Sequence, residues 1–218
     1  MESTKTLYLC SGLEQAGSNL VSRFFLRRGD MTGVLDVPSD RLLGVSPLPA
    51  QSRLWLGTTL TAFRPTELVQ HYRDDGWQVC PLLVIRDVRR VWAEWLVTGV
   101  GPGGQTAQDP PLRMRMRRLL EDWELFYWFD WPIVRYEDLA SDAPVALRAI
   151  CKRFELEWDE AMVRDFVPPA AAVGPLAVAD ADLAWLEGLF RDFFRENDYP
   201  EHLAEHAADA PALRMKAA

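Results

Sequence analysis

Runs of consecutive apolar residues alternate along the chain with segments whose apolar positions recur every three or four residues. Thr6 to Cys10 is a continuous run, as a strand buried on both faces requires. Leu20, Val21, Phe24 and Phe25 follow at helical spacing, which predicts a helix over about residues 18 to 27. GVLDV (33–37) and RLWLG (53–57) read as short strands. RPTELVQHYRDDG (64–76) fits a helix, with Pro65 in the first turn and Gly76 as its stop. QVCPLLVIRD (78–87) has the unbroken apolar centre of an interior parallel strand, and VRRVWAEWL (88–96) reads as the helix after it. Leu112, Met116, Leu119, Leu120, Trp123 and Tyr127 share another helix. WPIVRYEDL (131–139) is a strand and its exit, and residues 142–154 and 180–196 are further helices. TGVGPGGQTAQDPP (98–111) is a glycine- and proline-rich loop of the length seen in lids.

Strand, loop and helix in alternation predict an α/β fold, three layers α/β/α around a central, mostly parallel sheet. A single domain over 1–200 and a polar, alanine-rich tail over 201–218 are expected. In such sheets ligands bind beyond the C-terminal strand ends. The glycine loop after the first strand, Arg86 and Asp87 after the long strand, and Tyr136 to Asp138 after the last one would all meet there.

Composition narrows the partners. With 49% hydrophobic and 26% charged residues, the chain belongs among folded globular proteins. A net charge of −8 argues against a nucleic-acid surface but leaves room for a local basic pocket. Cys10, Cys80 and Cys151 are odd in number and widely spaced, so buried free thiols are expected, not a disulfide framework or metal cluster. No apolar run approaches the roughly 20 residues that span a bilayer, and the N-terminus is not patterned as a signal peptide. No membrane partner and a cytoplasmic location are the expectation.

The chemistry concentrates in SGLEQAGSNL (11–20), where Gly12, four residues, Gly17 and Ser18 almost spell the nucleotide-binding spacing G-x-x-x-x-G-K-[ST] without its lysine. N–H groups of residues 15–19 around one concavity at a helix N-terminus would suit a phosphate or sulfate, with Ser18 and Asn19 adding donors. The alternative is a plain glycine turn before a helix capped by Ser18. A P-loop phosphotransferase (kinase) would need a lysine, which Gln15, Ala16 and Gly17 do not offer, and a carboxylate for Mg²⁺, where Asp87 lies against Arg86. Arg86 either joins Arg89 and Arg90 in a phosphate site or pairs with Asp87 or Glu94. Asp36 stands beside the loop, able to take a proton from an acceptor hydroxyl or to act as a turn residue before Pro38. His71 is mid-helix, and His202 and His206 lie in the tail.

VIRDVRRVWAEWL and IVRYEDLASDAPVALRAICKRFEL are similar to two characteristic segments of the sulfotransferases that use 3′-phosphoadenosine 5′-phosphosulfate (PAPS). These enzymes have a P-loop NTPase-like fold and carry RDPRDV-like and YEDL-like stretches in this order. The glycine loop takes the place of their P-[KR]-S-G-[ST]-T loop, and the resemblance spans roughly residues 5 to 160. It implies a sulfuryl transfer from PAPS to a hydroxyl or amine of a small-molecule or glycan acceptor, with no metal required. It further implies a loop cradle from Gln15 to Asn19 for the 5′-phosphosulfate, Arg86 on the 3′-phosphate, Tyr136 near the adenine and Asp36 as base. Three positions depart from the pattern. Gln15 replaces a cation, a loss of roughly 3 kcal/mol of transition-state stabilisation. Arg23 and Arg27 on the next helix are candidate substitutes for it. Glu94 stands where a serine usually meets the 3′-phosphate, with Thr98 one turn on, and Val88 replaces a proline. A sulfotransferase-like binding protein without transfer activity is therefore the other reading. Residues 98–111 and Trp123, Phe126, Tyr127, Trp128 and Phe129 either line an acceptor cleft or, for the aromatics, pack as core. The arginines of LRMRMRR (112–118) read as a solvated helix face.

Overall fold

The computed structural model describes residues 5–37, 42–43, 52–59, 63–98, 110–166 and 178–200. Five strands, β1 (Thr6–Gly12), β2 (Thr32–Val34), β3 (Arg53–Gly57), β4 (Gln78–Ile85) and β5 (Ile133–Arg135), form one sheet in the order β2-β3-β1-β4-β5. Every pairing is parallel, with Leu9 opposite Leu56 on one side and Pro81 on the other. All five strands therefore end on the same edge, and whatever follows each of them is delivered there.

The helices are α1 (Ser18–Phe25), α2 (Pro65–Asp74), α3 (Val88–Thr98), α4 (Pro110–Trp128), α5 (Tyr136–Arg153), α6 (Asp180–Leu189) and α7 (Arg191–Glu196). Period-two alternation along buried strands sends neighbouring side chains to opposite layers. Tyr8, Cys10, Leu82 and Val84 pack with Val21, Phe24 and Phe25 of α1 and Leu147 and Ile150 of α5. On the other face Leu7, Leu9, Leu54 and Leu56 meet Leu68, Val69 and Tyr72 of α2. Leu83 and Ile85 meet Val91, Trp92 and Trp95 of α3, Met116 and Leu119 of α4, and Leu186 and Phe193 near the C-terminus. This is the three-layer α/β/α arrangement that the pattern predicts. Trp55 lies flat between rings, stacked on Phe25 at 4.3 Å and on Tyr8 at 6.0 Å, and its indole N–H donates to Ser22 at 2.9 Å.

Three boundaries differ from the sequence reading. β2 stops at Val34, so Asp36 lies beyond it in a left-handed turn. Tyr136 to Asp138 are not a strand exit but the first turn of α5, which runs on through a break at Asp142 (φ −149°, ψ 82°) just before Pro144. Residues 180–196 form two helices, and a short 3₁₀ turn at Glu160–Val163 packs Met162 into the core. The lid-like segment, over 99–109, and the tail over 201–218 lie outside the described residues, as do His202 and His206. No helix among the described residues is long and apolar enough to cross a membrane.

Candidate anion and nucleotide site

Gly12 closes β1 where the strand runs tight against β4: a Cβ there would stand 2.7 Å from the carbonyl oxygen of Val84. The chain then turns through Gln15 (φ 68°) and Gly17 (φ 96°) into α1, with the Ala16 N–H donating to Leu13 O at 3.0 Å. The N–H groups of Gln15, Gly17, Ser18 and Asn19 meet no protein acceptor among the described residues. Those donors point from a turn and a helix N-terminus, where the backbone dipoles favour negative charge. Ala16 and Ser18 are buried beneath them.

Arg86 and Tyr136 enter from the two strands beyond. The Arg86 guanidinium donates to both carboxylate oxygens of Glu94, at 2.8 and 2.6 Å, and to the carbonyl oxygen of Gln15 at 2.8 Å. Tyr136 covers it, with the guanidinium carbon 4.5 Å from the ring centroid. The same ring fills the space beside Gly17, where a Cβ would come within 2.5 Å of it. Gln15, Gly17, Arg86, Glu94 and Tyr136 thus form one contact set from four separate segments. Of the two sequence readings for Arg86, pairing with Glu94 is what the geometry has. Thr98 spends its hydroxyl on the Glu94 carbonyl oxygen of its own helix, at 2.8 Å.

On the opposite side, the Asn19 amide donates to Asp36 Oδ1 at 2.9 Å, which ties Asp36 to the first turn of α1. Asp36 is therefore both a turn residue and a carboxylate beside the loop. Arg27 is committed elsewhere: it donates to the carbonyl oxygens of Met162 and Arg164, at 3.4 and 2.7 Å, while Arg23 is exposed.

Several partners were not legible beforehand. Asp87 is buried and takes three donors from Arg89, its N–H and Nε on Oδ1 at 3.0 and 2.9 Å and Nη2 on Oδ2 at 2.8 Å. Both oxygens are engaged, which leaves a Mg²⁺-binding role for it without support. Glu137, the acid of YEDL, is a clamp: it accepts the Asp87 N–H at 3.0 Å and the Tyr199 hydroxyl at 2.8 Å. Burial and the Glu137 carboxylate push the Tyr199 phenol well above its ordinary value. The arginines of 112–118 are not a uniformly solvated face. Arg115 binds Glu14 of the loop at 2.5 Å, Arg113 binds Asp182 at 3.1 Å, and Arg118 lies 3.1 Å from Asp122.

Asp122 itself is buried, its carboxyl pushed up to about 6 by burial, with Arg118 opposing. It lines a small cavity at the C-terminal ends of β1 and β3 together with Ser11, Thr58, Thr59 and Phe63. The aromatic set divides: Trp123 and Phe126 are buried, and Tyr127, Trp128 and Phe129 are exposed. Phe126 and Tyr127 line a groove of about 950 Å³ beside β5 and α5, along the edge of the sheet. The three cysteines are free, with Cys10 and Cys151 buried and Cys80 half-buried, and burial raises all three thiols.

No family model matches the chain, and no curated protein sequence does. Solved structures do. Mouse sulfotransferase SULT7A1 complexed with PAP (3′-phosphoadenosine 5′-phosphate) superposes with a TM-score of 0.62 at 12% identity, over 90% of this chain and 88% of that one. The sulfotransferase STF9 from Mycobacterium avium gives 0.58 at 8% identity, over 92% and 78%. The sulfotransferase domain of the Synechococcus PCC 7002 olefin synthase gives 0.55 at 13%, over 88% and 96%. The chain has a sulfotransferase-like fold, as the loop and the two downstream segments imply.

Proposed function

We propose that the protein transfers a sulfuryl group from a nucleoside 5′-phosphosulfate, in the class of PAPS, to a hydroxyl or amine of a small-molecule or glycan acceptor. One observation carries this reading. The N–H groups of Gln15, Gly17, Ser18 and Asn19 meet no acceptor among the described residues, which supports an anion cradle there, with the Asp36 carboxylate on one side and the Tyr136–Arg86 stack on the other. The fold neighbours lend support, since they are sulfotransferases and one of them carries PAP.

In the reaction the acceptor oxygen or nitrogen attacks sulfur, and the bond from sulfur to the bridging phosphate oxygen breaks. The nucleotide leaves as its 5′-phosphate, and the acceptor proton passes to Asp36. The loop donors stabilise the charge that grows on the bridging oxygen and the leaving phosphate, and they also hold the reactants in line. Gln15 brings no cation to this task. Arg115, which reaches the neighbouring loop residue Glu14 at 2.5 Å, is the candidate in its place. The Gln15 substitution favours a second reading, a nucleotide-binding protein without turnover.

Calorimetric titration of the protein with adenosine 5′-phosphosulfate, with PAP, and with ATP plus Mg²⁺ tests the proposal. Metal-independent binding of one of the first two is expected. Binding of neither, or binding of ATP that depends on Mg²⁺, overturns it. Binding without sulfuryl release to any acceptor moves the protein to the second reading.

A further inference from the structure

The Arg86–Glu94 pair turns its anionic member outward. The Arg86 side chain is 8% exposed and the Glu94 side chain 32%. The guanidinium is matched by a full carboxylate through two short bonds, is tied to the Gln15 carbonyl oxygen, and is roofed by Tyr136. Three of its five N–H groups are engaged among the described residues, and its Nε is buried. An incoming group at this end of the crevice meets first the more exposed member, the Glu94 carboxylate with its remaining lone pairs. A carboxylate offers about four acceptor positions, and Arg86 occupies two. A phosphate dianion offers no donor to such a surface. To reach Arg86 it would have to displace a bidentate charge-assisted pair or sit against the carboxylate. A ribose hydroxyl is a donor and fits the vacant lone pairs, the same chemistry by which an acidic side chain reads ribose hydroxyls at other α/β nucleotide sites.

We propose that Glu94, with Arg86 as its counter-ion, selects a nucleotide whose ribose 3′-hydroxyl is free and rejects one that carries a 3′-phosphate. The donor is then of the adenosine 5′-phosphosulfate kind and the product is a nucleoside 5′-monophosphate. This rests on the reading of the glycine loop as a nucleotide cradle. It replaces the 3′-phosphate contact at Arg86 that the sequence resemblance implies.

The test is calorimetry of the full chain with AMP, PAP and 3′-deoxyadenosine 5′-phosphate. AMP should bind about tenfold more tightly than either of the other two, the scale of one hydrogen bond to a charged group. In Glu94→Ser and in the near-isosteric Glu94→Gln, each checked for folding by thermal melting, the preference for AMP over PAP should vanish. Wild-type protein that binds PAP as tightly as AMP overturns the inference while leaving the cradle intact. So does a preference that persists in both variants. Failure of all three nucleotides to bind the wild type overturns the cradle reading itself.

Discussion

Gly17→Ala probes the joint between the loop and the Tyr136–Arg86 stack. Gly17 sits at φ 96° and ψ 10°, and a Cβ there would meet Tyr136 Cδ2 at 2.5 Å and Cε2 at 3.2 Å. The left-handed backbone costs an L-residue about 1–2 kcal/mol. The ring cannot retreat cheaply, because it is held in the first turn of α5 and stacked on Arg86 at 4.5 Å. Overpacking of this kind costs about 1–3 kcal/mol. Together the substitution should destabilise by roughly 2–5 kcal/mol, a fall in melting temperature of roughly 4–20 °C for a chain of this size. Urea denaturation followed by tryptophan fluorescence measures it. Pairing the change with Tyr136→Leu separates the two costs. The ring clash disappears in the double variant and the backbone strain stays, so the combined loss should be smaller than the sum of the single losses by about 1–3 kcal/mol. A single-variant cost under about 0.5 kcal/mol, or simple additivity, would refute the packing argument.

Asp122 should leave a signature in stability against pH. Its folded-state carboxyl titrates near 6, above the ordinary 3.8, so the native state holds the proton more tightly than the unfolded chain. The stability this adds is present below about pH 4 and is lost as pH rises to about 6, roughly 3 kcal/mol in all. The wild-type profile minus that of Asp122→Asn should show this slope, and a flat difference would contradict it. Asp36→Asn should leave nucleotide affinity unchanged and lower sulfuryl transfer at least about 100-fold, the usual contribution of a general base. An unimpaired rate would remove Asp36 from the mechanism. Arg115→Gln should slow transfer by about 100-fold or more, as loss of one charge-stabilising donor does. An equal fall in affinity for a sulfate-free nucleotide such as AMP would show that it only anchors the loop.

Much of the fold was legible because buried parallel strands and amphipathic helices differ in period. RLWLG gave β3 its true limits, and the exits of β1 and β4 were read at the right edge. The start of α5 was not legible, since Arg135 makes no side-chain cap to announce a helix at Tyr136. Contacts between distant segments were equally hidden. Glu137 finds its partners 50 and 62 residues away, and nothing local distinguishes it from Asp138. Asp122 follows Arg118 by four residues and looks like an exposed helix pair, yet it is buried beside the small cavity at the ends of β1 and β3. Arg86 was half legible. Its two readings were both visible in the sequence, and the eight-residue step that carries Glu94 back along α3 to the strand end decided between them.

The account stands on the loop as an anion cradle, and backbone amide resonances report on it directly. In nitrogen-labelled protein titrated with adenosine 5′-phosphosulfate in the absence of metal, the N–H signals of Gln15, Gly17, Ser18 and Asn19 should shift together and saturate. Saturable binding that leaves those four signals unmoved would contradict the account, and so would no binding at all.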